Sequence, residues 1–196
     1  AKYKENALKV GNVKSALLKK EFRRFLSSPT YMLNCGLGII IMPVATVALI
    51  IKGSSVTYSL DALLGNNPQL TALLSAAAVC LMCTMNDMTA PSISLEGKTI
   101  DIAKSLPIST YEVLKAKIKL HLYLTLIPAA ALTAVILWII KPTWYFALLI
   151  PLAVLGFVVL TAVSGLVLNL KMPNLNWTNE AVPVKQSMSV FIALFG

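Results

Sequence analysis

The chain has 196 residues, 57% of them apolar and only 13% charged, with a mean hydropathy of +0.77. A soluble domain carries about 25% charged residues, so the composition excludes an ordinary water-soluble domain. The formal net charge of +9 raises the question of a nucleic-acid partner, which the placement of the charges answers below.

Residues 1–28 hold eight of the 17 basic residues: Lys2, Lys4, Lys9, Lys14, Lys19, Lys20, Arg23 and Arg24. Within them Leu18, Phe22, Phe25 and Leu26 recur at helical spacing and share one face, with the cations around the rest. That pattern predicts an amphipathic helix lying in the membrane interface, its cations at anionic head groups. A solvated basic tail is the plainer reading of the same charges. Ser27-Ser-Pro29 then redirects the chain.

Four uncharged blocks follow: residues 31–51 (21 residues), 62–86 (25), 120–140 (21, with His121) and 142–170 (29). About 20 apolar residues cross a bilayer core, so the expected fold is all-α, a polytopic transmembrane helix bundle. Spans are predicted at 31–51, about 70–85, about 120–140 and about 144–170, with Pro43, Pro128 and Pro151 inside them. No cleavage signal follows the first run, which is read as a retained span. Residues 52–69 read as a loop with a short helix at 56–64, and Lys141-Pro142-Thr143 as a tight connection between antiparallel neighbours. A fifth apolar run, residues 187–196, starts and stops after 10 residues. With Ala1 in place of an initiator Met, it leads us to expect the first part of a longer polypeptide. Residues 1–30 then form a basic arm with its connector helix, and 31–196 a transmembrane domain containing a charged segment at 89–119.

Lys and Arg mark the cytoplasmic side. The arm has 8, residues 89–119 have 5 and residues 171–186 have 2, against Lys52 and Lys141 alone on the other side. This places the N-terminus and residues 89–119 in the cytoplasm of a multi-pass cell-membrane protein. Orientation therefore accounts for the positive charge, and no nucleic-acid partner is expected.

Candidate chemistry is sparse. Cys80 and Cys83 form a C-x-x-C pair in apolar surroundings without the further ligands zinc needs, and read as small core residues. Ser164-Gly165 lacks a base other than His121, which is predicted at a different depth, so the pair reads as helix packing. Paired acids, a His-Glu metal motif and a Gly-rich phosphate loop are all missing from the sequence. Neither a catalytic residue nor a cofactor or metal site is expected. The segment that stands out is residues 92–109, where Glu96, Lys98, Asp101 and Lys104 alternate with Leu95, Ile100, Ile102 and Leu106. A plain connecting loop is rich in Gly, Ser, Asn and Pro; this one is built to touch something. Pro107 stops a short helix, Ser109-Thr110 can cap the next and Glu112 sits in its first turn.

Glu96-Gly-Lys98, Lys104-Ser-Leu-Pro107-Ile-Ser and Val113-Leu-Lys115-Ala-Lys117 together resemble the first cytoplasmic loop of permease subunits of ATP-binding cassette (ABC) transporters of the ABC-2 type. Leu18-Lys-Lys-Glu21-Phe-Arg-Arg-Phe-Leu-Ser-Ser-Pro29-Thr-Tyr31-Met-Leu-Asn34 and Pro173-Asn-Leu-Asn-Trp177-Thr-Asn-Glu180-Ala-Val-Pro-Val-Lys185-Gln186 resemble permeases of this type from Gram-positive bacteria. The resemblance implies an exporter subunit, not itself an enzyme, that couples to a separate ABC ATPase subunit docking through a coupling helix near residues 95–105. It implies docking roles for Leu95, Glu96, Lys98, Ile100, Asp101, Lys104, Leu106 and Pro107. Membrane lipids and a second permease half or a homodimer are the other implied partners. Four spans and a fragment depart from the six or more the family has. A non-transporting assembly or regulatory subunit, whose loop binds a soluble partner, is the alternative.

Overall fold

The computed structural model describes residues 12–105 and 107–195, with side chains at all of these except 54, 57, 61, 102–104, 194 and 195. Every regular element among them is helical. Asn12 opens α1 (Val13–Ser27) by accepting from the Lys14 N–H, and Ser28 both ends α1 and caps α2 (Pro29–Cys35) by accepting from Tyr31 N. One serine thus makes the corner, with Pro29 at the first helical position, where its missing N–H costs nothing.

The first expected span is broken. α2 and the start of α3 (Leu37–Leu63) meet at Gly36 with a bend of 52°. The amide freed at the bend is satisfied twice over, because Ile39 N donates to Gly36 O and to Asn86 Oδ1, both at 3.1 Å. α3 then continues through Pro43 to Leu63, so most of the loop expected at residues 52–69 is helix. Gly53 did not end it, because that glycine is buried hard against the Ile139 side chain of a neighbouring helix, a packing use of glycine.

After a turn through Gly65 and Asn66, both left-handed, Asn67 caps α4 (Pro68–Thr84) by accepting from Gln69 N and Leu70 N. A non-helical connector, residues 85–93, leads into a 3-10 helix (Ser94–Thr99) and then α5 (Ile100–Ser105). The expected single short helix is therefore two pieces, broken at Gly97, whose φ of 50° and ψ of −135° suit glycine. Ser109 caps α6 (Thr110–Ile140) by accepting from Glu112 N, as the sequence leads one to expect, and the helix starts ten residues before the predicted span. Lys141 takes the left-handed C-cap conformation, and α7 (Trp144–Lys171) returns antiparallel. α8 (Ala181–Lys185) and α9 (Met188–Phe195) follow, the latter packing on α7.

α6 is central, packing against α1, α3, α4 and α7. One apolar cluster draws on α3, α4, α6 and α7 through Met42, Val79, Cys83, Leu132 and Val158. A second, at the other end, joins Phe25, Tyr31, Cys35, Met88, Leu95, Leu120 and Val184. Between apolar helices in lipid, close backbone approach and dispersion replace the hydrophobic drive. Gly38 shows this: a Cβ there would lie 2.7 Å from Met82 O and Asn86 Oδ1.

α6 and α7 are long and apolar enough to cross a membrane, and the bent α2–α3 pair makes a third if it counts as one span. α4 is apolar but has 17 residues, about 25 Å of helix. The outer faces of α3 and α7 expose Ile40, Val44, Val47, Ile51, Leu148, Leu152 and Leu160, a surface suited to lipid rather than water. The fold is that of a helical membrane protein with two clear candidate spans, or three with the bent pair counted as one.

Candidate functional site

The charged segment divides into a buried half and an exposed half. From Asn86 to Gly97 every residue except the half-buried Asp87 is buried, and Lys98, Thr99, Asp101, Ser105, Pro107 and Ser109 are exposed. Burying irregular backbone is costly unless its polar groups find partners. Here a small set of side chains supplies them.

Asn169, at the end of α7 and 0% exposed, is the main anchor. Its Oδ1 accepts from Ile93 N at 2.7 Å and Ser94 N at 3.0 Å. Its Nδ2 donates to Ser94 Oγ at 2.7 Å and Ser189 Oγ at 3.0 Å, and Ser189 Oγ donates in turn to Ala90 O. From the other side Trp177 Nε1 donates to Ser94 O at 2.6 Å, while its ring lies over Gly97, where a Cβ would be 3.3 Å away. Tyr31 Oη donates to Met88 O at 2.6 Å. Residues 86–97 are thus tied to α2, α7, α9 and the segment after α7.

The second anchor is ionic. Lys117 of α6 is 2% exposed, and its Nζ lies 2.7 Å from Glu96 Oε1 and 3.1 Å from Glu21 Oε2, and donates to Ser92 O at 3.1 Å. Arg24 and Lys20 of α1 approach the same Glu96 oxygen at 3.5 and 3.9 Å. Burial alone would raise the Glu96 carboxyl; Lys117, then Lys20 and Arg24, outweigh it and hold the group below its ordinary value. Five charged side chains from three elements form one knot, which Lys14 and Glu112 extend at 3.7 Å. Breaking such a buried pair costs about 3–5 kcal/mol, because it strands the other charge.

The arrangement sorts the expected sites by exposure. Leu95 lies in the second apolar cluster and Glu96 is 4% exposed, so both are mostly buried, and both also line the groove that opens beside the 3-10 helix. Lys98, Asp101 and Pro107 are exposed and Ile100 is half-buried; the Lys104 side chain and the whole of Leu106 lie outside the described residues. The expected interfacial face of α1 also splits. Phe25 is 3% exposed and Leu18 packs beside it against α2 and α6, whereas Phe22 and Leu26 point outward at 40% and 53% exposure. Phe25 turns into the protein because the knot clamps Glu21, one turn before it, onto Lys117.

Sequence reasoning named Glu21 and Lys117 only inside longer motifs, gave neither a role, and passed over Asn169. A signal existed for two of them. The buried positions of α6 include 117, 121, 125, 129 and 133, and those of α7 include 154, 158, 162, 166 and 169, so Lys117 and Asn169 each stand at helical spacing on an inward face.

Beside the 3-10 helix a groove of about 430 Å³ opens between Arg24, Ser28, Lys98, Thr99, Trp177 and Glu180. Ser28 Oγ donates to Glu180 across it. Its walls come from α1, the charged segment and the stretch after α7, and its chemistry is of mixed charge with one aromatic edge. Such a surface can bind a partner of complementary charge. Ser164 is exposed and donates to Thr161 O within α7, while His121 is 0% exposed. Among the described residues no group of three or more His, Cys, Asp or Glu is placed to hold a metal ion. Comparisons with protein families, with curated proteins and with solved structures give no match.

Proposed function

We propose that the chain is the permease part of an ABC transporter of the ABC-2 type, an exporter, driven by a separate ATPase that docks on residues 98–110 and the adjoining groove. The observation that supports this reading is mechanical. An exposed, charged tip continues directly from a buried connector tied by Asn169 to α7 and by Lys117 to α6, the two longest apolar helices. A push on the tip is then delivered to both helices instead of being absorbed in a flexible loop.

In this reading the bent α2–α3 pair and α4 are also spans, giving four with α9 as the start of a fifth. The N-terminal arm, residues 89–119 and residues 171–186 face the cytoplasm, following the 15-to-2 distribution of Lys and Arg. Phe22 and Leu26 rest at the lipid boundary. Substrate moves at an interface with a second permease half or a second copy.

The experiment is purification of the full chain from its native membranes with an ATP hydrolysis assay. An ATPase bearing a nucleotide-binding P-loop should co-purify, and Lys98→Glu with Asp101→Lys should release it while the melting temperature holds. Recovery of a stoichiometric soluble partner without ATP hydrolysis would instead support an assembly or regulatory subunit.

A further inference from the structure

A cavity of about 20 Å³ lies where the buried connector meets α4, α7 and α9, lined by Cys83, Thr84, Asn86, Asp87, Thr161, Ser164 and Ala193. It has the volume of one water molecule. Two of the polar groups lining it are unpaired: Asp87 Oδ2 and Asn86 Nδ2 are both shut off from solvent and have no hydrogen-bond partner. The rest of both side chains is committed, Asn86 Oδ1 to Ile39 N and the other Asp87 oxygen to the Ala90 N–H.

The three hydroxyls on the wall have already given away their protons. Thr84 Oγ1 donates to Leu81 O at 2.7 Å, Thr161 Oγ1 to Val158 O at 3.0 Å and Ser164 Oγ to Thr161 O at 3.2 Å. Each therefore offers the cavity only lone pairs. The Asn86 amide brings two N–H donors to this space, but among the described residues nothing forms an ion pair with Asp87, so an ionised carboxyl there keeps a buried, uncompensated charge that a proton removes. A metal cation would suit the oxygens but would face the Asn86 N–H, which repels it.

We propose that this pocket is a proton-binding site: Asp87 carries the proton, donates it to the wall hydroxyls directly or through one internal water, and that water accepts from Asn86 Nδ2. The site joins the connector to α7 at Gly165, where a Cβ would fall 2.6 Å from Thr89 Oγ1 and 2.9 Å from Asp87 Oδ1. Losing the proton places an uncompensated charge at that joint and loosens it. The titratable groups facing Asp87 are Cys83 of α4, on the cavity wall, and Tyr31 and Cys35 of α2, near enough to feel its charge. The lining residues of α7 and α9 are uncharged. Burial accordingly pushes the Asp87 carboxyl up to about 7, the Ala90 N–H pulling the other way. Proton loss thus falls in the physiological range.

The test uses the full chain in lipid nanodiscs, wild type beside Asp87→Asn, an isosteric mimic of the protonated acid. Infrared difference spectra should show a protonated-carboxyl band in the wild type that fades as pH rises through about 7 and is absent from Asp87→Asn. The wild-type melting temperature should fall between about pH 5 and about pH 8 relative to that of Asp87→Asn, since a raised native pKa gives stability that is lost as pH rises through it. Absence of the band at the acid end, or equal pH profiles for the two proteins, would overturn the proposal. So would a titration that shifts when sodium replaces choline at constant ionic strength, which would make the ligand a metal cation. The wild-type spectrum alone decides the matter if the variant does not fold.

Discussion

Residues 86–97 and 98–110 are consecutive, and both carry charge, yet they do opposite things. The first stretch is buried, and its polar backbone is met by Asn169, Trp177, Tyr31 and Lys117. The second is largely exposed and ends where Ser109 caps α6. The difference lies in the supply of partners. Glu96 is buried because three cations wait for it; Lys98, two residues later and past the left-handed Gly97, is exposed. Charge in a sequence marks where electrostatics matters, and tertiary partners decide whether it faces inward or out.

That contrast can be broken most severely at Lys117. Lys117→Met leaves Glu21 and Glu96 buried without their shared cation and should cost about 3–5 kcal/mol in denaturant unfolding; an effect under about 1 kcal/mol would mean the knot is solvated. Glu96→Gln should cost less, because Lys117 keeps Glu21 at 3.1 Å. Asn169→Ala comes next, at about 2–4 kcal/mol, since it orphans the buried Ile93 and Ser94 N–H groups. Hydrogen exchange at those two amides should rise with it, and unchanged protection would show that the anchor lies elsewhere. Trp177→Phe keeps a ring over Gly97 but loses the bond to Ser94 O, so a loss of about 1 kcal/mol in the same unfolding assay is expected. Smallest is Lys98→Glu, which should change stability by less than about 0.5 kcal/mol while altering partner binding.

A finer comparison sets the two carboxylates of the buried half against each other. Glu96 sits below its ordinary 4.5 and Asp87 is raised to about 7. The Glu96 contribution is therefore present above its unfolded pKa and lost as pH falls through the lower native value; the Asp87 contribution is lost as pH rises toward about 7. Melting temperature against pH should consequently fall on both sides of a maximum between those values. Glu96→Gln should flatten the acid limb, and Asp87→Asn the other.

Much of this was legible in advance. The apolar blocks located the helices, the Ser109–Glu112 cap was readable from residue type, and cations of α1 and α6, Lys20, Arg24 and Lys117, do meet at the charged segment. Local pattern failed where a distant partner decided the outcome. Gly53-Ser-Ser looks like a turn, but Ile139 packs on Gly53 and the helix runs on to Leu63. Phe25 looks like a lipid anchor, but the Glu21–Lys117 pair, 96 residues apart in sequence, turns it inward. The inward stripes of α6 and α7 did carry readable signs, a lone lysine and a lone asparagine at helical spacing.

The central claim is that the exposed half receives a partner and the buried half only holds it in place. The most direct measurement is ATP hydrolysis co-purifying with the full chain from native membranes, for Lys98→Glu with Asp101→Lys beside wild type, with melting temperatures taken on the same samples. Loss of the co-purifying ATPase at an unchanged melting temperature is the expected result. Retention of full ATPase activity by the double variant, or its loss only together with the fold, would contradict the account.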